Sequence, residues 1–307
     1  MAAVTSVGET SGASTSRGLR GWRDYILTAF SGSADGSPDW VKALEQGDDA
    51  GYFGPGSAVW TVHGAMPVTV AGVRALLMQA LHPGAMAGVH EWSRYREDPL
   101  GRLSGTVRWV LTTTFADTAA ARSGSEWVKR LHTRVTGTYG DGIPYSAGDP
   151  ELLRWVHVVF AESFLSCHQA WGGPIPGGAD QYVAEWAVAG ELMGVESPPR
   201  SEAELRGQLE AFGPSLLGDE RVAEAVRFIR HPPLKRSLLP AYAILFAGAV
   251  ATIEPTYLAM LGLRRPWWPA RALTRVSLAG LGLLLGRPST SEVYTRRRLD
   301  RLDRVQP

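Results

Sequence analysis

Glu126-Trp127-Val128-Lys129-Arg130-Leu131-His132-Thr133-Arg134-Val135 lies at the centre of the stretch that decides this fold, the run from Arg102 to Phe164. The run holds three consecutive segments of helical periodicity, each setting an unusual polar residue beside an apolar stripe. In the middle segment Val128, Leu131 and Val135 recur at i, i+3 and i+7. His132 comes four after Val128 and one after Leu131, so it points into that stripe. An imidazole so placed is either a core histidine satisfied by a carbonyl or a metal or haem ligand. Spacing alone leaves both readings open.

The flanking segments repeat the pattern. Asp98-Pro99 is a helix start, an N-cap followed by proline at the first helical position, and the spacing predicts a helix to about Phe115. Leu100, Leu103, Val107 and Leu111 form its apolar stripe; Arg102, Thr106, Trp109 and Thr113 form a neighbouring one. An arginine and a threonine one turn apart can grip one group, such as a carboxylate or an oxygen species. Asp117 is placed to cap the His132 helix. Asp149-Pro150 repeats the start signal for a third helix, Glu151 to Trp171, in which His157 lies on the side of Leu153 and Phe160. His168, near its end, reads as a partly exposed histidine favourable to the helix dipole.

Working outward, Trp22–Phe30 and Trp40–Gln46 read as short helices. The Gly- and aromatic-rich stretch from Gly51 to Ser57 reads as a tight loop. Val68–Leu81 is an apolar helix that must stop at His82-Pro83, and Gly84–Tyr95 continues as another, with His90 and Glu91 its notable polar residues. The segment from Gly137 to Gly148 reads as a loop, because no alternating runs flank an Asn-Gly or Asp-Gly turn convincingly. Ala241–Leu263 and Ala270–Gly286 read as buried helices; neither is a clean run of about twenty apolar residues. The expectation is one all-α domain over residues 19–290, with a disordered Ser/Thr/Gly-rich tail at 1–18 and a charged, solvated terminal helix at 291–307.

Composition bounds the function. The 307 residues are 45% hydrophobic and 20% charged with a net charge of +1, so no global field calls for nucleic acid. A single cysteine, Cys167, excludes an internal disulfide and suits a reducing compartment, and no secretory segment opens the chain. The cytoplasm is the expected location. Peripheral membrane contact stays open, marked by Pro266-Trp267-Trp268-Pro269. A zinc site lacks its ligand cluster, a hydrolase its nucleophile elbow, a dicarboxylate centre its Glu-x-x-His spacing, and a dinucleotide site its glycine fingerprint. Cys167, mid-helix among apolar neighbours, reads as inert packing.

Leu81-His82-Pro83, the segment Arg94-Tyr95-Arg96-Glu97-Asp98-Pro99-Leu100-Gly101-Arg102-Leu103, the segment Arg130–Val135 and Gly142-Ile143-Pro144-Tyr145 together resemble one family. It is the latex-clearing protein family in its bacterial branch, whose domain is shared with the MpaB-type oxygenases. The resemblance spans roughly residues 40 to 265. It implies an all-helical fold with a pocket for haem b between core helices, and cleavage of an olefinic carbon–carbon bond with O2. It places the axial iron ligand on His132. His157 has no counterpart in it; its place on the apolar side of its helix makes it the second cofactor-binding candidate and first replacement ligand, with His82 and His90 behind it. The Arg-x-x-Lys-Thr motif of the rubber enzymes resembles Arg102-x-x-Gly105-Thr106, with glycine where the lysine would stand. Glu91 takes the place of the acid–base glutamate. The missing lysine argues against rubber itself and for another apolar, unsaturated substrate. A non-catalytic haem sensor or carrier, or a helical scaffold with structural histidines, shares the same features.

Overall fold

Several helix boundaries in the first half of the chain trace to a local signal. The computed structural model describes residues 21–28, 31–93 and 99–305, the side chains at 99, 100, 102, 103 and 305 excepted. The expected tail at 1–18 and the Arg94–Asp98 part of the family motif lie outside them. In order, the helices are α1 (21–28), α2 (Asp39–Lys42), α3 (Ala58–His63), α4 (Val68–Gln79), α5 (Pro83–Trp92), α6 (Pro99–Phe115), α7 (Thr118–His132), α8 (Pro150–Trp171) and α9 (Gly178–Met193). There follow α10 (Glu202–Ala211), α11 (Glu220–Arg230), α12 (Leu239–Thr252), α13 (Pro255–Met260), α14 (Ala270–Leu285) and α15 (Thr290–Val305). The fold is all-α.

His82, held extended before Pro83 (φ −88°, ψ 118°), separates α4 from α5, as the pre-proline restriction requires. The Asp117 carboxylate accepts the Ala120 N–H at 3.0 Å and caps α7. Asp149 behaves differently: α8 does begin at Pro150, but the Asp149 carboxylate accepts from the Ser146 N–H at 2.8 Å and makes no bond to its own helix.

Residues 136–146 correct the sequence reading, which took them for loop. They form a hairpin, with strand β1 (Thr136–Tyr139) antiparallel to β2 (Ile143–Ser146) and Tyr139 facing Ile143. The connection is Gly140-Asp141-Gly142, in which both glycines take positive φ (54° and 87°), as three-residue hairpin loops require. Thr, Gly and Pro at the strand positions hide the alternation.

The core is built on α8, which packs along α4 and α9. Arg74 of α4 is buried against it: one guanidinium nitrogen donates to Glu162 Oε1 at 2.8 Å, while the other reaches Glu162 Oε2 and donates to Ser163 Oγ at 2.9 Å. Two late segments differ from expectation. Helix α14 buries only Ala270, Thr274 and Leu278 against α12 and turns Leu273, Val276 and Leu283 outward. Helix α15 is docked and not simply solvated: the fully buried Arg298 donates to the carbonyls of Leu44 (2.7 Å) and Phe115 (2.9 Å). Among the described residues no helix is long and apolar enough to cross a membrane.

Candidate functional site

Four helices meet in stacked layers, and the composition of each layer sets what it can do. In the central layer Phe160 (α8) stacks on Trp186 (α9) with centroids 5.8 Å apart, and Trp186 meets Trp109 (α6) at 6.0 Å. Trp109 Nε1 in turn donates to Ser125 Oγ (α7) at 3.0 Å. Aromatic rings fill this layer.

One turn to one side lies His63, from α3. Its Nδ1 is 2.8 Å from Thr114 Oγ1 and its Nε2 3.2 Å from Tyr182 OH. The rings of Phe164 and Trp186 close over it edge-on. Burial pushes its pKa down to about 3. Both ring nitrogens are satisfied, so this is a structural histidine. The sequence reading missed it, because the six residues of α3 carry no periodic signal.

One turn to the other side the layer is made of small residues. The helical repeat brings Thr106, Val128, Gly190 and His157 there from α6, α7, α9 and α8. Gly190 confirms the level: a Cβ on it would lie 2.9 Å from His157 Cε1. His157 is buried, and burial pushes its pKa down to about 4. Among the described residues nothing hydrogen-bonds its ring. A further turn on, a Cβ on Gly194 would lie 4.0 Å from Leu153. The aromatic filling thus ends at Trp186, and beyond it the His157 imidazole packs on Gly190.

His132 is the last residue of α7, half-buried, on the inward stripe formed by Ala121, Ser125 and Val128. The stripe expected from sequence, Val128–Leu131–Val135, is off by a fraction of a turn, for Leu131 faces out. Thr106 is half-buried on α6. Arg102 lies one helical turn before Thr106, and its side chain is outside the described residues. Glu91, at the end of α5, stands apart from this stack. Its Oε2 accepts from Tyr145 OH at 2.6 Å, while Trp92 Nε1 donates to the Thr136 carbonyl at 3.0 Å. Both contacts pin α5 to the hairpin. Burial, then the Glu91 carboxylate, push the Tyr145 phenol up to about 12.

The remaining histidines hold other places. His82 is buried with Nε2 3.9 Å from Glu151, and His90 Nε2 lies 3.5 Å from Glu224. His168 corrects its reading: it is buried, its Nε2 3.1 Å from the Gly173 carbonyl, and burial lowers its pKa. It carries no charge to the helix end. Cys167 is buried and its thiol pushed up to about 12, the inert packing expected. The sequence reading also passed over α9, although Tyr182, Trp186, Gly190 and Gly194 recur every four residues and change from large to small.

The donors available here are single imidazoles on separate helices, and one imidazole is what an iron porphyrin takes from a protein. Among the described residues no three His, Cys, Asp or Glu side chains converge as ligands for a bare ion. His157 itself packs against the backbone of Gly190, where an added Cβ would lie 2.9 Å from its ring.

No match is found among the curated proteins or among the solved structures. A family model does match, over residues 60–286, most of the chain and all of the layered stack. On that match the chain belongs to the family of the ER-bound oxygenase mpaB/B'/rubber oxygenase catalytic domain, and it is an oxygenase-family enzyme.

Proposed function

We propose that the protein is a haem b-dependent oxygenase acting with O2 on an apolar, unsaturated small molecule or lipid. The observation that carries this reading is the buried His157 imidazole packed on Gly190 next to the Trp186–Phe160 stack, in a chain that belongs to an oxygenase family. Haem b, when bound, supplies the redox-active iron that makes O2 reactive toward an alkene.

Each part of the site has its own task. His132, at the end of α7, would hold the haem iron. His157, kept neutral by burial, would be the replacement ligand. Arg102 and Thr106, one turn apart on α6, would hold a carboxylate of the cofactor or bound oxygen. The three aromatic rings exclude water from one side of the site. Glu91, held against the hairpin by the Tyr145 hydroxyl and apart from this stack, is assigned no step here. The exposed apolar Trp92, Trp127 and Leu131 belong to the ends of α5 and α7 and support an apolar substrate. Gly105, where the rubber enzymes carry lysine, leaves no cation at that position.

Oxygen consumption by the reduced, haem-loaded protein tests turnover. A panel of unsaturated lipids and terpenoids should reveal at least one substrate that raises the rate. Loaded protein that consumes no oxygen with any of them is a haem sensor or carrier instead. If His132→Ala keeps an unchanged ferric spectrum while His157→Ala loses it, the ligand is His157.

A further inference from the structure

Helix α14 lies flat on the molecule with a second, uncovered face. Ala270, Thr274 and Leu278 are buried on its inner side, while the outward stripe Ala272–Val276–Ala279–Leu283 follows the i, i+4, i+7, i+11 spacing. Leu283 is 88% exposed and Val276 68%. Just before the helix, Trp267 is 95% exposed. A monomer rarely leaves large side chains this open along one line.

In the chain around the stripe the charges are all of one sign. Arg264, Arg265, Arg271, Arg275 and Arg287 lie in or next to this segment, and no aspartate or glutamate occurs between Glu254 and Glu292. Arg271 and Arg275 flank the stripe on the helix; each donates one N–H to a backbone carbonyl, of Ala251 and Ala170 respectively. Among the described residues none of the five meets a carboxylate. Arg265 and Arg271 also border a surface hollow of about 310 Å³ shared with Pro266 and Trp268.

The geometry points to α14 and Trp267 as a surface that docks on an anionic lipid bilayer. The helix lies in the interface plane with its apolar stripe inserted and its arginines on the phosphates. An apolar outward face, basic flanks and an indole at the end are what such a helix needs, and at 16 residues it is about 24 Å long. A second copy of the chain fits less well, because a symmetric contact would set the same unpartnered arginines on both sides. The surface is separate from the layered site, and its test needs no haem.

Co-sedimentation of the full-length protein with vesicles reads it directly. Vesicles of phosphatidylcholine and phosphatidylserine should carry the protein down, vesicles of phosphatidylcholine alone much less, and high salt should reverse the difference. Val276→Asp with Leu283→Asp should lower the anionic partition more than about tenfold, and Arg264→Ala and Arg265→Ala about fivefold each. All four positions lie on the surface, so the circular dichroism and melting midpoint should match wild type; Trp267→Ala gives an independent check on the apolar contribution. Equal partition onto neutral and anionic vesicles, or none onto either, overturns the proposal. So does a wild-type dimer that Val276→Asp with Leu283→Asp converts to monomer, which would make a second copy the occupant.

Discussion

His63 and His157 are enclosed by the same four-helix stack, yet only His63 has hydrogen-bond partners on both ring nitrogens. Burial keeps both neutral, at about 3 and about 4 against an ordinary value of 6.5. The unfolded chain takes up protons on them below about pH 6.5, and the folded chain does not. The protein should therefore hold its full stability above that pH. It should lose roughly 1.4 kcal/mol per pH unit for each histidine as pH falls toward about 4 and then about 3. Urea unfolding of the haem-free protein at falling pH measures this, and His157→Leu should remove one histidine's share of the slope; an unchanged slope would contradict the burial argument. Gly190→Ala is the matching steric test. Its Cβ at 2.9 Å from His157 must displace the imidazole, at a cost of about 1–3 kcal/mol, whereas Gly207→Ala, with open space around it and mid-helix in α10, should stabilise by up to about 1 kcal/mol. At this scale the offset of His157 from its apolar neighbours marks a residue that is buried, whereas Leu131, the neighbour used to place His132, faces out. The sequence hides His63, because the partners that satisfy it come from residues 51 and 119 positions away.

Among the helices, α8 is tied to α4 through Arg74 and Glu162, and that contact is a buried ion pair. Removing one partner strands the other charge in the core. Arg74→Ala should cost about 3–5 kcal/mol, while Arg206→Ala, which breaks the exposed i, i+4 pair with Glu202, should cost less than about 0.5 kcal/mol. Chemical denaturation of the two variants compares them; equal costs would mean that burial is not what makes the Arg74 pair matter. The hairpin depends on Tyr145 OH donating to Glu91, so Tyr145→Phe should lower stability by about 1 kcal/mol. Helix ends at Pro83, Pro99, Asp117 and Pro150 are legible in the sequence because capping and proline signals act within a few residues. The hairpin is not, since its register rests on two positive-φ glycines and on contacts to α5. Nor is the α7 stripe, whose true direction is set by packing on α6 and α9 and not by its own apolar residues.

For the molecule as a whole, periodicity discloses an all-helical domain, but not which helices end up covered. The apolar composition of residues 270–286 reads as a buried helix; only the packed fold shows one side of α14 left open and α15, with Arg298, drawn into the core. The same holds for the site. The packing of the His157 imidazole on Gly190 is a property of α8 and α9 together, and no single motif carries it. The central claim is that the site holds haem b on His132. It is tested most directly by the visible absorption spectrum of the purified protein, expressed with haem supply and recorded before and after dithionite and carbon monoxide, beside His132→Ala. The account predicts a Soret band that shifts on carbon monoxide binding in the wild type and is lost or altered in the variant. A colourless wild-type protein that takes up no added haem would contradict it.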